Sequence, residues 1–392
     1  MPTDKFQNDF FGGGIMKKIK VFILFGFIFF LVFIILGEIV LRLFEKKIQL
    51  MRPISLQKES LQYTSSLFVT HLFPQQEQSF VNRAWYSNEH GFPTYRVNEF
   101  GYRGKDFTVD KAPGTVRIVV YGGSAVFDLA MPEGKDWPHR VEQFLRQDGF
   151  NNVEVINAGV SGNTAYDSFG YLFAEGHQLR PDYVLLYSTW NDIKLFSNSN
   201  MLARTAHPYE AKNDPFLYYK NSVDKNLGEH LLLYSFLRYS FLKWKYRLGL
   251  EGAAPEKKVE YNIAQRALEQ YKLNIQMFVD CARNIGATPI LMTEGTLITK
   301  DNENVEKWRL RHIRNIMPYD FMLQSLEEAA KIIKSVAQEK NVDLIDAKEL
   351  LVEKEEMLYF DHVHLGDAGS EELASIVKEH IKKILSAKGN NK

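Results

Sequence analysis

One long apolar stretch stands apart from the rest of the chain. Residues 21–37 (VFILFGFIFFLVFIILG) are apolar without interruption, close to the length that spans a bilayer. A run with no polar face is poorly suited to a core helix of a soluble domain. A cleaved signal peptide is the remaining alternative, but its apolar region is normally shorter, and no A-x-A-like cleavage site follows. We therefore predict a transmembrane anchor over residues 19–41 after a tail of residues 1–18, with Glu38 reaching toward the headgroups.

The orientation of this anchor depends on the basic residues around it. Basic residues flank both ends of the run, so the positive-inside count is level. The compact cluster of Lys17, Lys18 and Lys20 is typical of the n-region of a secretory signal. We predict that the anchor is single-pass and that the C-terminal bulk lies outside the cytoplasm. The sequence MKKIK leaves Met16 as an alternative start to Met1.

Beyond residue 115, short apolar runs alternate with helical patterns. The runs are residues 116–123, 153–159, 183–188, 288–293 and 342–346. They are continuously apolar instead of alternating, as suits parallel strands that are covered on both faces. Between them, spacing such as Trp137, Val141, Phe144 and Leu145 is typical of amphipathic helices. The pattern predicts an α/β fold, a three-layer α/β/α sandwich with a five-stranded parallel sheet (flavodoxin-like), preceded by the one transmembrane helix.

Domain boundaries follow from the same pattern. Residues 46–110 show no sustained period and are interpreted as a linker and capping segment. The α/β domain is predicted over residues 111–388, with an insertion at residues 197–260. Apolar residues of the insertion that share one helical face are Leu233, Phe236, Leu237, Phe241, Trp244 and Leu248. This pattern fits either a helix that packs on the domain or a membrane-surface helix or lid.

Charge and cysteine content narrow the function classes. The chain has 48 basic and 48 acidic residues, and this balance argues against a nucleic-acid partner, which normally requires a basic excess. A single cysteine, Cys281, excludes an intrachain disulfide and a Cys-rich zinc site, and its apolar helical context predicts a buried side chain. The ten histidines show no HExxH or comparable ligand spacing. We therefore predict neither a metal nor an organic cofactor.

Candidate chemistry follows the ends of the predicted strands, where parallel sheets bind their ligands. The first three strands lead into Ser124, Gly159 and Asn191, and a DHVH segment with Asp361 and His364 precedes the last helix. Each has a plainer interpretation when taken alone. Ser124 and Asn191 suit helix caps, the glycine block suits a turn, and DHVH suits a solvated loop.

The spacing within DHVH predicts different roles for its two histidines. Asp361 and His364 are three residues apart, and at near-helical spacing such positions share a face, whereas adjacent positions do not. Asp361 can therefore hold the His364 imidazole and fix its tautomer, as the carboxylate of a catalytic triad does. We predict that His362 points elsewhere and has no catalytic role.

The order of these blocks resembles that of the SGNH hydrolases, also called the GDSL family of esterases and lipases. The resemblance covers roughly residues 115–386 and is carried by GGS (122–124), NAGVSGN (157–163), TWND (189–192) and DHVH (361–364). It implies that Ser124 is a nucleophile and that His364 and Asp361 complete a triad. It also implies an oxyanion hole formed by the N–H groups of Ser124 and Gly159 and by the amide of Asn191.

Two positions depart from the family pattern. Gly123 replaces the usual aspartate before the serine, and Thr189 replaces the usual glycine of the third block, with the bulky Trp190 after it. The first change is tolerable because that aspartate is not a triad member, whereas Thr189 and Trp190 bear on the pocket near Asn191 and on the oxyanion geometry.

The resemblance implies a membrane-anchored serine esterase. The expected substrate is a small-molecule or glycan ester, or a lipid ester, with acetyl as the expected acyl group. An O-acyltransferase that uses the same serine on a cell-surface glycan remains an alternative, because only the acceptor differs. An inactive binding protein with an SGNH fold is the third possibility.

Overall fold

A computed structural model describes residues 9–43, 62–64, 70–72, 76–79, 94–197, 222–248, 261–300, 317–351 and 358–389. The chain divides into two compact units. One consists of Met1–Glu59 and Pro208–Glu256, and the other of Ser60–His207 and Lys257–Lys392.

The helices and strands of the described residues are numbered in chain order. The helices are α1 (Asp9–Leu43), α2 (Ser124–Phe127), α3 (Trp137–Gln147), α4 (Ala165–Tyr171), α5 (His177–Leu179), α6 (Trp190–Ile193), α7 (Ser222–His230), α8 (Leu232–Arg247), α9 (Gln265–Asn284), α10 (Tyr319–Lys340), α11 (Ala347–Leu351) and α12 (Asp367–Gly389). The strands are β1 (Gln62–Thr64), β2 (Thr70–Leu72), β3 (Gln76–Ser79), β4 (Thr94–Val97), β5 (Val116–Gly122), β6 (Val153–Gly159), β7 (Tyr183–Tyr187), β8 (Thr288–Met292) and β9 (Asp343–Ile345).

A five-stranded parallel sheet forms the centre of the second unit, in the order β6-β5-β7-β8-β9. This is the 2-1-3-4-5 order of flavodoxin-like sheets. The predicted α/β fold and all five predicted strands are confirmed. Gly122 pairs with Gly159 on one side and with Tyr187 on the other, so the carboxyl ends of these strands meet at one edge.

The continuous apolar runs form these strands because both faces of the sheet are covered. Every residue of β7 is buried, as is every residue of β5 after Val116. Helix α3 packs against β6 and α12, and helix α9 packs against α4 and α10. Cys281 is buried in α9, as its apolar context predicts.

Tyr95, Val97 and Tyr102 lie in the hydrophobic core of the α/β unit, within the stretch of residues 46–110 that is predicted as a linker and capping segment. Arg103 is fully buried, and its guanidinium donates to the carbonyl oxygens of Asp128 and Met131 at 2.9 and 2.6 Å. A buried arginine needs such partners, and it ties this segment to the turn after α2. Between residues 62 and 97, the described residues form two antiparallel pairs, β1 with β2 and β3 with β4.

The first unit contains the apolar helix predicted as an anchor. Within α1, Lys18–Leu43 is long and apolar enough to cross a membrane, with a mean hydropathy of 3.0, and none of its most apolar window is buried. Length and composition of this kind fit a single-pass anchor or a signal sequence. The described part of the predicted insertion, helices α7 and α8, belongs to this same unit.

Candidate active site

The structure brings Ser124, His364 and Asp361 together at the carboxyl end of the sheet. Ser124 opens α2 directly after β5, and its Oγ lies 2.7 Å from His364 Nε2. On the other side of the ring, Nδ1 lies 2.7 Å from Asp361 Oδ2. All three residues are buried. The result is a continuous chain of hydrogen bonds from carboxylate to imidazole to hydroxyl.

Asp361 also shapes the loop that carries the histidine. Its Oδ1 accepts the N–H groups of Val363 and His364 at 2.9 and 2.8 Å. This turn places residues 361 and 364 on the same side, as their spacing predicted. Burial alone raises the pKa of Asp361, but the neighbouring His364 and His362 and the hydrogen bonds outweigh it and hold this pKa far below its usual range.

The pKa of His364 shifts in the opposite direction to that of Asp361. Burial alone lowers its pKa, but the charge of Asp361 and their hydrogen bond outweigh that effect, so the pKa of His364 is raised above its ordinary value. An ionised carboxylate at Nδ1 keeps a proton on that nitrogen. Nε2 is therefore left as the acceptor for the Ser124 hydroxyl.

His362 occupies a different environment from His364. Its ring packs against Trp190, with 4.1 Å between the ring centroids. Its carbonyl oxygen accepts the Thr296 hydroxyl at 2.8 Å and the Leu297 N–H at 2.9 Å. The structure thus brings His364, and not His362, to the serine.

Asn191 lies next to the residue that precedes the serine. Its Nδ2 donates to the carbonyl oxygen of Asn163 at 3.0 Å. A Cβ added at Gly123 would come within 2.7 Å of this Nδ2 and 2.9 Å of that carbonyl oxygen. Gly123 therefore permits the close approach of the Asn191 amide, which gives a physical reason for one departure from the family pattern.

Gly159 does not offer its N–H to the serine. That N–H donates to Asn157 Oδ1 at 3.0 Å, and a Cβ at Gly159 would lie 2.2 Å from the backbone nitrogen of Phe127. The Gly159 N–H is therefore engaged by Asn157, and a role for Gly159 in the oxyanion hole stays a prediction. The next glycine of the block, Gly162, has φ +90° and open space on its Cβ side, and its N–H meets no acceptor in the described part of the chain.

Asn191 and Asp192, the two polar residues that end the TWND block, lie in different environments. Asp192 is buried, and its carboxylate accepts the N–H of Ala165 at 3.1 Å and the hydroxyl of Ser188 at 3.0 Å. Burial raises the pKa of Asp192 to about 8, although these hydrogen bonds lower it. Asp192 thus links β7 to the start of α4, while the Asn191 amide lies beside Gly123, the residue before the serine.

Two charged residues near the site were not found by sequence reasoning. Glu294 follows β8, is buried, and accepts the N–H of Trp190 at 2.8 Å. Burial raises its pKa to about 7. The Nζ of Lys194 donates to Asn191 Oδ1 at 2.8 Å. Two features of the sequence could have pointed to them: an acidic residue shortly after a buried strand, and a lysine three residues after the asparagine.

Comparisons with known proteins agree with the block pattern. A model of the GDSL-like lipase/acylhydrolase family matches residues 120–371. No curated protein matches the chain. Among solved structures, a catalytic mutant of Axe2, an acetylxylan esterase from Geobacillus stearothermophilus, shares 15% identity over 69% of this chain and 96% of that chain, with a TM-score of 0.41. The lipase/acylhydrolase from Enterococcus faecalis shares 18% identity over 69% of this chain and 96% of that chain, also with a TM-score of 0.41.

Proposed function

The chain belongs to the GDSL-like lipase/acylhydrolase family and is an ester hydrolase, and on that premise we propose that Ser124, His364 and Asp361 form its catalytic triad. The observation that carries this proposal is the pair of 2.7 Å contacts that link the three side chains. A nucleophile bonded to a base, with the base oriented by a third group, is the arrangement that activates a serine.

The proposed reaction is acyl transfer to water through an acyl-enzyme. His364 Nε2 takes the Ser124 proton while Oγ attacks the ester carbonyl carbon. The same nitrogen then gives that proton to the departing alcohol oxygen. A water molecule, deprotonated by His364, attacks the acyl-enzyme, and the acid leaves as the serine regains its proton. Asp361 stays ionised throughout and stabilises the imidazolium that forms twice in the cycle.

The proposed oxyanion donors are the Ser124 N–H, the Asn191 amide and the Gly162 N–H. Ser124 opens a helical turn, so its N–H has no intrahelical acceptor. One Nδ2 proton of Asn191 is engaged with Asn163, and the second remains to stabilise a developing charge. Gly162 replaces Gly159 in this proposal because its N–H is not engaged by the described residues. Each such donor contributes about 3 kcal/mol to transition-state stabilisation.

We further propose that the enzyme is membrane-anchored and removes a short acyl group, such as acetyl, from a surface carbohydrate or a lipid. The apolar span of α1 supports the anchor, and Lys17, Lys18 and Lys20 before it support an extracytoplasmic catalytic unit. The bulk of Trp190, which directly precedes Asn191 and whose buried ring packs against His362, supports a short acyl group.

Labelling with a fluorophosphonate tests the triad. Wild-type protein should form one covalent adduct on Ser124, Ser124→Ala none, and His364→Ala an adduct only at a greatly reduced rate. Absence of an adduct in folded wild-type protein would contradict the proposal and favour a binding protein. In p-nitrophenyl acetate assays, turnover that requires a glycan acceptor, with little hydrolysis alone, would point instead to an acyltransferase.

Labelling of intact cells tests the location of the catalytic unit. Asp110 is exposed in the α/β unit, so Asp110→Cys in a Cys281→Ala background offers a single reactive thiol. A membrane-impermeant maleimide should label it in intact cells as fully as in lysed cells. Labelling only after lysis would place the unit in the cytoplasm.

A further inference from the structure

A carboxylate at the end of the apolar helix binds the start of another helix. Glu38 follows directly on the apolar run of α1, and its two carboxylate oxygens accept the N–H groups of Leu232 and Leu233 at 3.0 and 2.8 Å. These residues open α8, where backbone N–H groups have no intrahelical acceptor. A carboxylate at such an N-terminus also interacts favourably with the helix dipole. Glu38 therefore caps α8 from a helix that lies almost two hundred residues earlier in the sequence.

Further contacts reinforce this junction. Arg42 forms an ion pair with Glu38 at 2.9 Å and donates to the His230 carbonyl oxygen at 3.2 Å. A Cβ added at Gly37 would lie 3.1 Å from a Leu233 methyl group. The glycine thus allows α8 to approach the α1 backbone closely.

The contact between the two helices is limited to the end of α1. Among residues 18–43 of α1, the partly buried ones are Ile34, Gly37, Glu38 and Leu41, which share one face, whereas residues 18–33 are exposed throughout. Helix α8 therefore packs against the last two turns of α1 and not against the described residues earlier in the apolar span.

The position of Glu38 fixes the depth of this junction. At 1.5 Å per residue, the apolar run of residues 21–37 extends for about 25 Å, a little less than the roughly 30 Å hydrocarbon core of a bilayer. Glu38 and Arg42 then lie at the headgroup level, where charged side chains at the end of a span are tolerated. The first turn of α8 is thereby held at the membrane surface.

Beyond this junction, α8 and the residue after it carry an exposed apolar face. Leu237, Phe241, Trp244 and Leu248 are all more than half exposed, and their spacing of four, three and four residues places them on one face of the helix. Isolated exposed apolar side chains are ordinary, but a row that includes tryptophan and phenylalanine is typical of helices lying in a membrane interface.

We infer that α8 is an interfacial helix whose row of Leu237, Phe241, Trp244 and Leu248 inserts into the lipid headgroup region, as a second membrane contact beside α1. The inference rests on the proposed anchoring by α1. Lipid is the occupant that the geometry favours, because the row begins one turn after a junction held at headgroup level by the anchor itself. The Glu38 carboxylate sets the position of α8 on that anchor.

Depth measurements on the full-length protein test this inference. In a Cys281→Ala background, a nitroxide label is attached at Leu237→Cys, Phe241→Cys or Trp244→Cys after reconstitution into vesicles of phosphatidylcholine and phosphatidylglycerol. Collision with oxygen, which concentrates in lipid, is compared with collision with a water-soluble nickel chelate. Labels on the row should favour oxygen, whereas a label at the exposed Asp110→Cys of the α/β unit should favour nickel.

A label at Ile28→Cys in α1 separates failure of this inference from failure of the anchor. If the Ile28 label favours nickel, α1 is not in the bilayer and the proposed anchoring fails. If the Ile28 label is deep but the row behaves like Asp110, the anchor stands and the interfacial helix is overturned. Spin–spin broadening at Phe241 that grows with the protein-to-lipid ratio would assign the face to a second copy of the chain and would also overturn the inference.

Substitution of Glu38 tests its capping role. Glu38→Ala removes both acceptors, so the Phe241 label should lose its preference for oxygen while the Ile28 label stays deep. Glu38→Gln retains one acceptor oxygen and should keep most of the preference. An unchanged Phe241 label in Glu38→Ala would contradict the role of this carboxylate. Hydrolysis of soluble p-nitrophenyl acetate at the wild-type rate serves as the control for folding, since none of these positions lies near the triad in sequence.

Discussion

The Lys194 ammonium lies 2.8 Å from Asn191 Oδ1, and its nitrogen also lies 5.6 Å from the centroid of the Trp190 ring. An ammonium group is only a donor, so it fixes which end of the Asn191 amide is oxygen. The Nδ2 group is thereby directed toward Asn163 and Gly123, next to the serine.

Removal of this ammonium should weaken catalysis without abolishing it. We expect Lys194→Met to lower kcat about tenfold, because a partly exposed, charge-assisted hydrogen bond contributes about 1.5 kcal/mol, and Lys194→Arg to retain most of the activity. Asn191→Ala should lower kcat at least about a hundredfold. Lys194→Met should then add little in the Asn191→Ala background, since both act through one amide. Independent, multiplying losses would refute this coupling.

Restoring the usual aspartate of the family at position 123 should impair this enzyme. The Cβ alone would come within 2.7 Å of Asn191 Nδ2, so either the amide or the strand end must move. We expect Gly123→Asp and Gly123→Ala to lower kcat/KM about a hundredfold, as displacement of a catalytic group by about 1 Å can do. Thermal unfolding measured in parallel shows whether the fold survives. Full activity in Gly123→Asp would contradict the close approach.

The two histidines should differ sharply when each is replaced by alanine. His364→Ala removes the proposed base and should lower kcat by roughly ten-thousandfold or more. His362→Ala removes a ring that packs on Trp190. It should lower the unfolding free energy by about 1 to 3 kcal/mol and activity less than about tenfold. Equal losses of activity in steady-state assays would argue against the assignment of Asp361 and His364 as partners.

Asp361→Asn should change the pH dependence as well as the rate. His364 must be neutral to act as a base, so activity falls as pH drops below its pKa. The Asp361 charge, against the opposing effect of burial, raises this pKa. Its loss should therefore move the acid limb of the kcat/KM profile to lower pH, while the plateau falls about ten-thousandfold. An acid limb that stays in place would show that another group controls it.

Glu294→Gln should change how stability depends on pH. Burial raises the Glu294 pKa from 4.5 to about 7, so the folded state favours the protonated carboxyl group. Its contribution is fully present below pH 4.5 and is lost as pH rises to about 7, by up to about 3 kcal/mol. Glutamine keeps an oxygen for the Trp190 N–H without the titration. Denaturant unfolding is measured for both proteins at pH 4.5 and at about pH 7. Between these two pH values, the unfolding free energy of the wild-type protein should fall relative to that of the variant. A constant difference would exclude this linkage.

Several features were predictable because they depend on short stretches of chain. Parallel strands buried on both faces require continuous apolar runs, so all five strands could be located from hydrophobicity alone. Asp361 and His364 were paired correctly in space because one turn of backbone decides whether they can meet. Ser124 could be placed at the active edge because it follows the first strand directly.

Other features depend on backbone direction and on contacts between distant segments. The sequence offered two glycines in its second block, but only the fold shows that the Gly159 N–H turns to Asn157 while that of Gly162 does not. Glu294 and the buried Arg103 find their partners across elements that no local period connects.

The sequence by itself therefore determined the α/β architecture, the apolar N-terminal helix and the order of the four polar and glycine-bearing blocks, since each follows from local hydrophobic period and strand-end position. Tertiary structure decided which N–H groups stay available beside the serine, that Glu294 accepts the Trp190 N–H, and that Glu38 caps a helix almost two hundred residues away. The physical reason is that a hydrogen bond depends on direction and distance between two groups, and chain order does not specify these for segments that meet only on folding.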